Sequence, residues 1–192
     1  MNILIDNLPT AIDVCGQNCA IRTDFRTWIR FTLLAFENGS MAQQSKEIIK
    51  LIFIDMPPNL IMALKAIMNF YNPNADKKKV DGKKEPVKMY DFDYDADSIY
   101  SAFRQQYGID LRTSELHWHE FKALLDNLTE DTRFVKTIGY RTVDLSEIKS
   151  DEMRKFYAEM KAAHALPDNR PKEQKDADFS KAFCNAFIRK QR

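Results

Sequence analysis

Apolar residues recur at helical spacing along most of this chain, and short polar breaks divide the pattern into segments. Residues 8–22 instead alternate loosely between apolar and polar positions. The alternation predicts a small β-hairpin with strands over residues 10–15 and 19–22 and a turn at residues 16–18. Because a lone hairpin is only marginally stable in water, we expect it to pack on the helices that follow.

Three helices are predicted between the hairpin and residue 72. Thr23 or Asp24 can cap the first helix, which includes Phe36 in its apolar face and ends at residues 38–39. The second helix covers residues 43–54. The third starts after two prolines and places six apolar residues on one face: Leu60, Ile61, Leu64, Ile67, Met68 and Tyr71.

Cap residues and glycines divide the second half of the chain into further helices. Asp95 or Asp97 caps a helix over residues 98–107, and Thr113 or Ser114 caps the next one. Three more helices are predicted over residues 129–138, 151–166 and 178–189, and the first of these ends at Gly139.

These segments predict a mainly α-helical, bundle-like fold with a small N-terminal β-hairpin. Residues 74–88 carry six lysines without an apolar period, which is typical of a connection. The chain is therefore predicted to have four parts: the hairpin with its helices (1–72), a polar Lys-rich linker (73–92), a helical subdomain (93–166) and a C-terminal amphipathic helix appendage (167–192).

The composition is that of an ordinary globular protein, with 44% hydrophobic residues, 30% charged residues and a formal net charge of +1. A charge so close to zero gives no global attraction to nucleic acid or to an anionic membrane. No stretch reaches the roughly 18–20 apolar residues that span a bilayer. Asp6 interrupts the first apolar run, so a signal peptide is not predicted and we expect a soluble, cytoplasmic protein.

His117 and His119 form a possible metal-binding pair, because alternate residues of a strand share a face. The apolar spacing of Trp118, Phe121 and Leu125 instead predicts a helix, on which the two imidazole rings point about 200° apart. His117 is then expected at the boundary of the core and His119 on the polar surface. No metal site is predicted here.

The acidic run at residues 91–97 has four aspartates at alternating positions, which suggests calcium binding. An EF-hand loop needs Gly at position six and Glu at position twelve. Loops starting at Asp91 or at Asp93 have neither residue in place. The run is therefore predicted to begin a helix, where carboxylates favour the positive end of the helix dipole.

Catalytic motifs are missing from the sequence, which contains no Gly-rich phosphate loop, no zinc-protease histidine pair and no nucleophile elbow. The three cysteines have no identifiable histidine partner and are interpreted as small, partly buried thiols: Cys15, Cys19 and Cys184. Cys15 and Cys19 are placed near one another across the hairpin. We predict a protein that is not an enzyme and has no cofactor.

The C-terminal segment contains the candidate partner-binding residues Phe179, Phe183 and Phe187, which share one face of the predicted helix. Such a face packs on its own domain or fills a groove on a partner protein, and the spacing fits both arrangements.

The lysine run at residues 77–88 is a candidate for binding phosphate backbones. It lacks interleaved aromatic residues and aspartates follow it, so we expect a solvated loop.

Several motifs stand out from this helical pattern: TDFRTW from Thr23, YDF from Tyr90 with Asp95, IYSAF from Ile99, QYGIDL from Gln106, LHWHEFKALL from Leu116 and IGYR from Ile138. Together they resemble the bacteriophage "gene product fifteen" family of long-tailed phages and prophages of Gram-positive bacteria. The resemblance covers residues 8–166 and is strongest over residues 90–141.

Members of that family are encoded in the tail module near the tape-measure gene. The resemblance therefore implies a tail assembly chaperone, a helical protein that holds the tape-measure protein in the host cytoplasm until tube subunits polymerise around it. One alternative is a structural component of the tail, and another is a nucleic-acid-binding accessory protein that uses residues 77–88. Homo-oligomers are compatible with each of these functions.

Overall fold

The computed structural model of the chain describes residues 2–37, 44–73 and 88–167. These residues form seven α-helices and one small antiparallel hairpin, which confirms the predicted fold class. A π-helical turn at Leu33–Glu37 and a 3-10 turn at Leu145–Glu147 complete the secondary structure. The helices are α1 Phe25–Thr32, α2 Ser45–Ile52, α3 Leu60–Tyr71, α4 Ala96–Tyr107, α5 Trp118–Asp126, α6 Arg133–Thr142 and α7 Asp151–Ala163.

The hairpin joins β1 Ala11–Val14 to β2 Gln17–Ala20 through a two-residue turn at Cys15 and Gly16. Both turn residues have positive φ, 57° and 82°, as the tight turns of twisted hairpins require. The predicted turn at residues 16–18 therefore began one residue too late and ended two residues too late. Cys19 is buried opposite Ile12, whereas Cys15 is exposed in the turn, so the two thiols do not form a cross-strand pair.

Asp24 caps α1, as predicted, because its carboxylate accepts a hydrogen bond from the Arg26 N–H at 3.0 Å. Phe36, which was predicted on the apolar face, is exposed. It follows Thr32 in the π-helical turn, where the wider backbone changes the angular spacing of the side chains. The predicted helix end at residues 38–39 lies outside the described residues.

Helix α3 buries Ala63, Ile67 and Phe70, so the predicted face is only partly right. Ile67 is buried and Leu64, Met68 and Tyr71 pack against the core as predicted, whereas Leu60 and Ile61 are exposed. Ile61, assigned to the core, is 79% exposed. The segment is apolar almost all the way round, so its sequence allows more than one stripe and packing selects among them. Helix α2 is shorter than predicted, at Ser45–Ile52.

Helices α5 and α6 both begin several residues later than predicted. His117, not Thr113 or Ser114, caps α5, and Thr132, not Thr129, caps α6. Gly139 lies inside α6 and does not end it, since the helix continues to Thr142. The Thr129 N–H donates to the Gln106 side chain at 2.8 Å, which fixes this residue against α4 before the helix starts.

Helix α4 ends where predicted, at Gly108, whose φ of 69° is the left-handed conformation that favours glycine. Its N-cap residue is Asp95, although the carboxylate makes no cap hydrogen bond. Helix α7 ends at Ala163 and not at the predicted residue 166, and it has no buried residue.

One cluster of buried side chains extends from the hairpin to α6 and joins residues before and after the lysine run. At its centre Trp28 stacks on Phe70 and on Trp118, with ring centroids 4.6 and 6.1 Å apart. Phe121 stacks on Phe25 at 4.7 Å and on Phe103 at 5.2 Å, so aromatic rings connect α1, α3, α4 and α5. The boundaries of the four predicted parts stay predictions.

Candidate partner-binding surface

The imidazole rings of His117 and His119 lie side by side, with centroids 5.0 Å apart. The predicted separation was wrong because His117 is the extended N-cap residue of α5 and not part of the helix. Its Nδ1 accepts a hydrogen bond from the His119 N–H at 3.1 Å, and the Glu120 carboxylate accepts one from the His117 N–H at 2.9 Å. This reciprocal arrangement is a capping box.

The Nε2 atom of each histidine is hydrogen-bonded to a main-chain carbonyl. His117 Nε2 lies 3.0 Å from the Pro9 oxygen and His119 Nε2 lies 2.8 Å from the Phe70 oxygen. Because a carbonyl only accepts, both Nε2 atoms are protonated donors. The His119 ring also stacks on Phe70 at 4.5 Å, so the predicted surface position was wrong. The described residues hold no group of three His, Cys, Asp or Glu side chains placed to bind a metal ion.

Burial lowers the pKa of His119 below its ordinary value of 6.5. The hydrogen bond to Phe70 opposes this shift, and the neighbouring His117 adds to it. Protonation would place a second N–H on Nδ1, a buried atom that has no hydrogen-bond partner among the described residues. The neutral ring is therefore the form that fits the fold.

This shift predicts a loss of stability at mildly acidic pH. Below about pH 6.5 the unfolded chain takes up a proton at His119 before the folded chain does, so the free energy of unfolding falls as the pH falls. Urea unfolding of the parent and of His119→Gln, measured between pH 8 and pH 5, should show a weaker pH dependence in the variant. Parallel curves for the two proteins would refute this assignment.

The acidic run folds as a structural loop and helix start. The Asp91 carboxylate accepts hydrogen bonds from the Asp93 and Tyr94 N–H groups at 2.7 and 2.8 Å and binds Lys88 at 2.7 Å. Burial by itself raises the pKa of Asp91, but these hydrogen bonds outweigh it and lower the pKa below its ordinary value. The Asp91 carboxylate is therefore bound by groups of its own loop.

Asp95 forms a buried ion pair with Arg141, which sequence analysis did not single out as a partner. The two hydrogen bonds measure 2.7 and 2.8 Å, and each side chain is only 5% exposed. Arg141 also donates to the His164 and Met89 carbonyls at 2.6 and 3.2 Å. Through these bonds the Arg141 guanidinium, on α6, connects the start of α4, the end of α7 and the segment that precedes α4.

The lysine run and the C-terminal candidates lie mostly outside the described residues. Of the run, Lys88 is described and is paired with Asp91. Cys184 and the partner-binding candidates Phe179, Phe183 and Phe187 also lie outside. The partner surface predicted from the sequence therefore stays a prediction.

The described residues contain another candidate surface, which we call the methionine patch. It occupies the connection between α2 and α3 and the first turn of α3, and its side chains are exposed: Ile54, Met56, Leu60, Ile61 and Met62. Met56 is 67% exposed. Five large apolar side chains within nine residues are more than the scattered single exposures of an ordinary surface.

The backbone under the methionine patch is fixed. The Ile54 N–H donates to the Ala20 carbonyl of the hairpin at 3.1 Å, and the Asn59 side chain caps α3 by accepting from the Met62 N–H at 3.0 Å. Pro57 is buried between these two anchors. The patch is thus an apolar surface held on a rigid frame, which lowers the entropy cost of binding a partner. The sequence carries no signal for this patch, because residues 60–64 are uniformly apolar and no spacing marks the exposed ones.

A comparison with known protein families identifies the chain. The model of the family described as Bacteriophage Gp15 protein matches residues 4–166. The chain belongs to this family. No curated protein and no solved structure shows significant similarity to this Gp15 protein.

The motifs of the Gp15 resemblance meet in the folded protein. Across the segments before α1 and α5, the Trp118 N–H donates to the Thr23 carbonyl at 2.8 Å and the Phe25 N–H donates to the Leu116 carbonyl at 3.1 Å. Arg26 adds a bond to the Leu111 carbonyl at 2.6 Å. These hydrogen bonds join the start of α1 to the segment that leads into α5, so the motif residues involved have a structural role. Among the described residues of this Gp15 protein, no helix has the length and apolar character to cross a membrane.

Proposed function

We propose that this Gp15 protein is a tail assembly chaperone that binds the tape-measure protein without covalent chemistry and acts in the host cytoplasm. Membership of the phage family supports the assignment to phage assembly. The methionine patch is the observation that carries the binding role, because a chaperone for a long, aggregation-prone client needs exposed apolar surface.

The chemistry of the patch suits a client with an apolar helical stripe. Met56 and Met62 have flexible, polarizable side chains that adapt to different partner shapes, as in other helix-binding surfaces. Ile61 and Leu60 supply fixed apolar area beside them. Lys65, one helical turn after Ile61 and also exposed, places a positive charge at the edge. Asp55, which is exposed beside Met56, balances this charge, so the patch would select its client by apolar contact.

The double substitution Met56→Glu/Ile61→Glu is expected to reduce client binding at least about tenfold, because two carboxylates must then be buried against an apolar partner. The measurement is the amount of soluble tape-measure protein that co-purifies after co-expression. Leu4→Glu/Ile5→Glu is the matched control, since it also adds two carboxylates, at apolar residues on another segment that are 87% and 80% exposed. Equal recovery with the patch variant and the control would contradict the binding role of the patch.

Purified mature particles test the proposal against the structural alternative. A chaperone leaves the tail when the tube has formed, so this protein is expected to be missing from particles that contain the tape-measure protein. Its presence in particles in a fixed ratio to tube subunits would identify a structural tail component and refute the chaperone role.

A further inference from the structure

Helix α7 presents an apolar stripe that the described residues leave exposed. Met153 and Phe156 are 46% and 47% exposed, although the helix lies against α6 and the 3-10 turn. At about 100° per residue, Met160 and Ala163 fall in the same arc of roughly 80° as these two side chains. The stripe is therefore about four side chains long and continuous along the helix.

The apolar face of α7 has two flanks, and one of them packs on α6. Tyr157 and His164 both contact the Tyr140 ring, at 6.3 and 5.4 Å, and Lys161 donates to the Val143 carbonyl at 2.8 Å. This interaction fixes the orientation of α7 and leaves the side of the face that carries Phe156 and Ala163 free of it. The free flank is bordered by Glu152 and Glu159, which lie next to it on the helical projection.

We propose that residues 178–189 of the same chain cover this stripe as an antiparallel helix, so that α7 and this segment form a helical hairpin. The inference does not rest on the proposed function. The segment carries Phe179, Phe183 and Phe187 at helical spacing, with Ala182 and Ala186 between them. Small residues beside large ones allow two helices to approach and interdigitate.

The lengths of the two elements and their connection agree with this pairing. A 12-residue helix spans about 18 Å, close to the roughly 20 Å of the 13-residue α7. Described structure ends at Pro167, four residues after the end of α7, and only residues 168–177 separate it from the segment. A connection this short keeps the local concentration of the segment near α7 in the millimolar range.

Charge selects the antiparallel direction. Helix α7 begins with Asp151 and Glu152, whereas the C-terminal segment ends with Arg189, Lys190 and Arg192. Antiparallel pairing places these groups next to one another and matches Glu152 with Lys190. A parallel arrangement would instead bring Asp178 next to Asp151 and Glu152, where the carboxylates repel one another.

A disulfide test in the full chain examines the pairing directly. Met160→Cys/Ala182→Cys places two thiols across the proposed interface, in a background in which Cys15→Ser and Cys184→Ser remove two of the three native thiols and leave the buried Cys19. Ala158→Cys/Ala182→Cys is the matched control, because Ala158 lies on the opposite side of α7 from Met160. After oxidation we expect an intrachain disulfide, found by non-reducing electrophoresis and peptide mass analysis, in the first variant only.

The other outcomes of this test each overturn the proposal. A covalent dimer in place of the intrachain bond would show that the stripe is covered by a second copy of the chain. Equal cross-linking of both pairs, or none in either, would show that the segment has no fixed position on α7. Because Met160 is only partly buried and the other substituted positions are exposed or lie beyond residue 167, circular dichroism should confirm an unchanged fold.

Hydrogen exchange gives a second measurement that needs no cysteine. The triple substitution Phe179→Ala/Phe183→Ala/Phe187→Ala should speed amide exchange in α7 by at least about tenfold. Without the three rings, α7 can open locally without breaking a packed interface. Exchange in α3 is the internal control and should not change. Unchanged exchange in α7 would overturn the proposal, and it would leave the methionine patch and the chaperone role unaffected.

Discussion

Arg141→Met is expected to lower the free energy of unfolding by about 3–5 kcal/mol, a large part of the roughly 5–15 kcal/mol of an ordinary domain. The substitution leaves the Asp95 carboxylate buried without its cation. It also removes the donors to the His164 and Met89 carbonyls. Denaturant unfolding followed by circular dichroism measures the change.

Two controls separate the buried pair from a general effect of losing an arginine. Arg154→Met removes the cation of an exposed pair with Asp151 and should cost within about 1 kcal/mol. Asp95→Asn/Arg141→Met should recover a substantial part of the loss, because it removes the unpaired charge while the new amide oxygen can still accept from the Asp91 N–H. A double variant as unstable as Arg141→Met would show that the charge is not the cause.

Trp118→Ala is expected to destabilise the protein by a similar amount, about 3–5 kcal/mol, through the cavity that it creates. The side chain is fully buried, and its ring stacks on Tyr71 at 5.1 Å and on Trp28 at 6.1 Å. Its Nε1–H donates to the Tyr71 carbonyl at 3.1 Å, so the substitution also removes this hydrogen bond. The same unfolding experiment measures the effect.

Trp118→Phe keeps most of the aromatic volume and should cost clearly less than the alanine variant. Leu4→Ala is the surface control. Leu4 is 87% exposed, so its truncation is expected to change stability by no more than about 0.5 kcal/mol. If Trp118→Ala were as mild as Leu4→Ala, the aromatic stacking between α1, α3 and α5 would not be what stabilises the core.

Local signals predicted the helical fold and several of its boundaries. Asp24 starts α1 and Gly108 ends α4 because a side-chain cap and a left-handed glycine act within one turn of the chain. The start of α5 depended on more than local preference. Several residues from Thr113 onward can cap a helix, but the main-chain pairing of Thr23 and Phe25 with residues 116–118 keeps that segment extended until His117.

The two candidate surfaces differ in whether the sequence revealed them. Clear helical spacing predicted a partner site at Phe179, Phe183 and Phe187. The methionine patch was not predicted, because Ile61 was expected to be buried. An apolar residue in an almost wholly apolar helix has no spacing that marks it as exposed, so only the packing of Ala63, Ile67 and Phe70 reveals it.

Patterns among neighbouring residues were enough to predict most helical segments, the caps that limit two of them and the family that the motifs resemble, since periodicity and capping act over a few residues. Contacts between distant segments fixed the rest: the exposure of Ile61 on α3, the aspartate that meets Arg141 across 46 residues, and the side-by-side position of two histidines assigned to opposite faces. Those outcomes depend on distant segments that compete for one core, and no local pattern encodes the result of that competition.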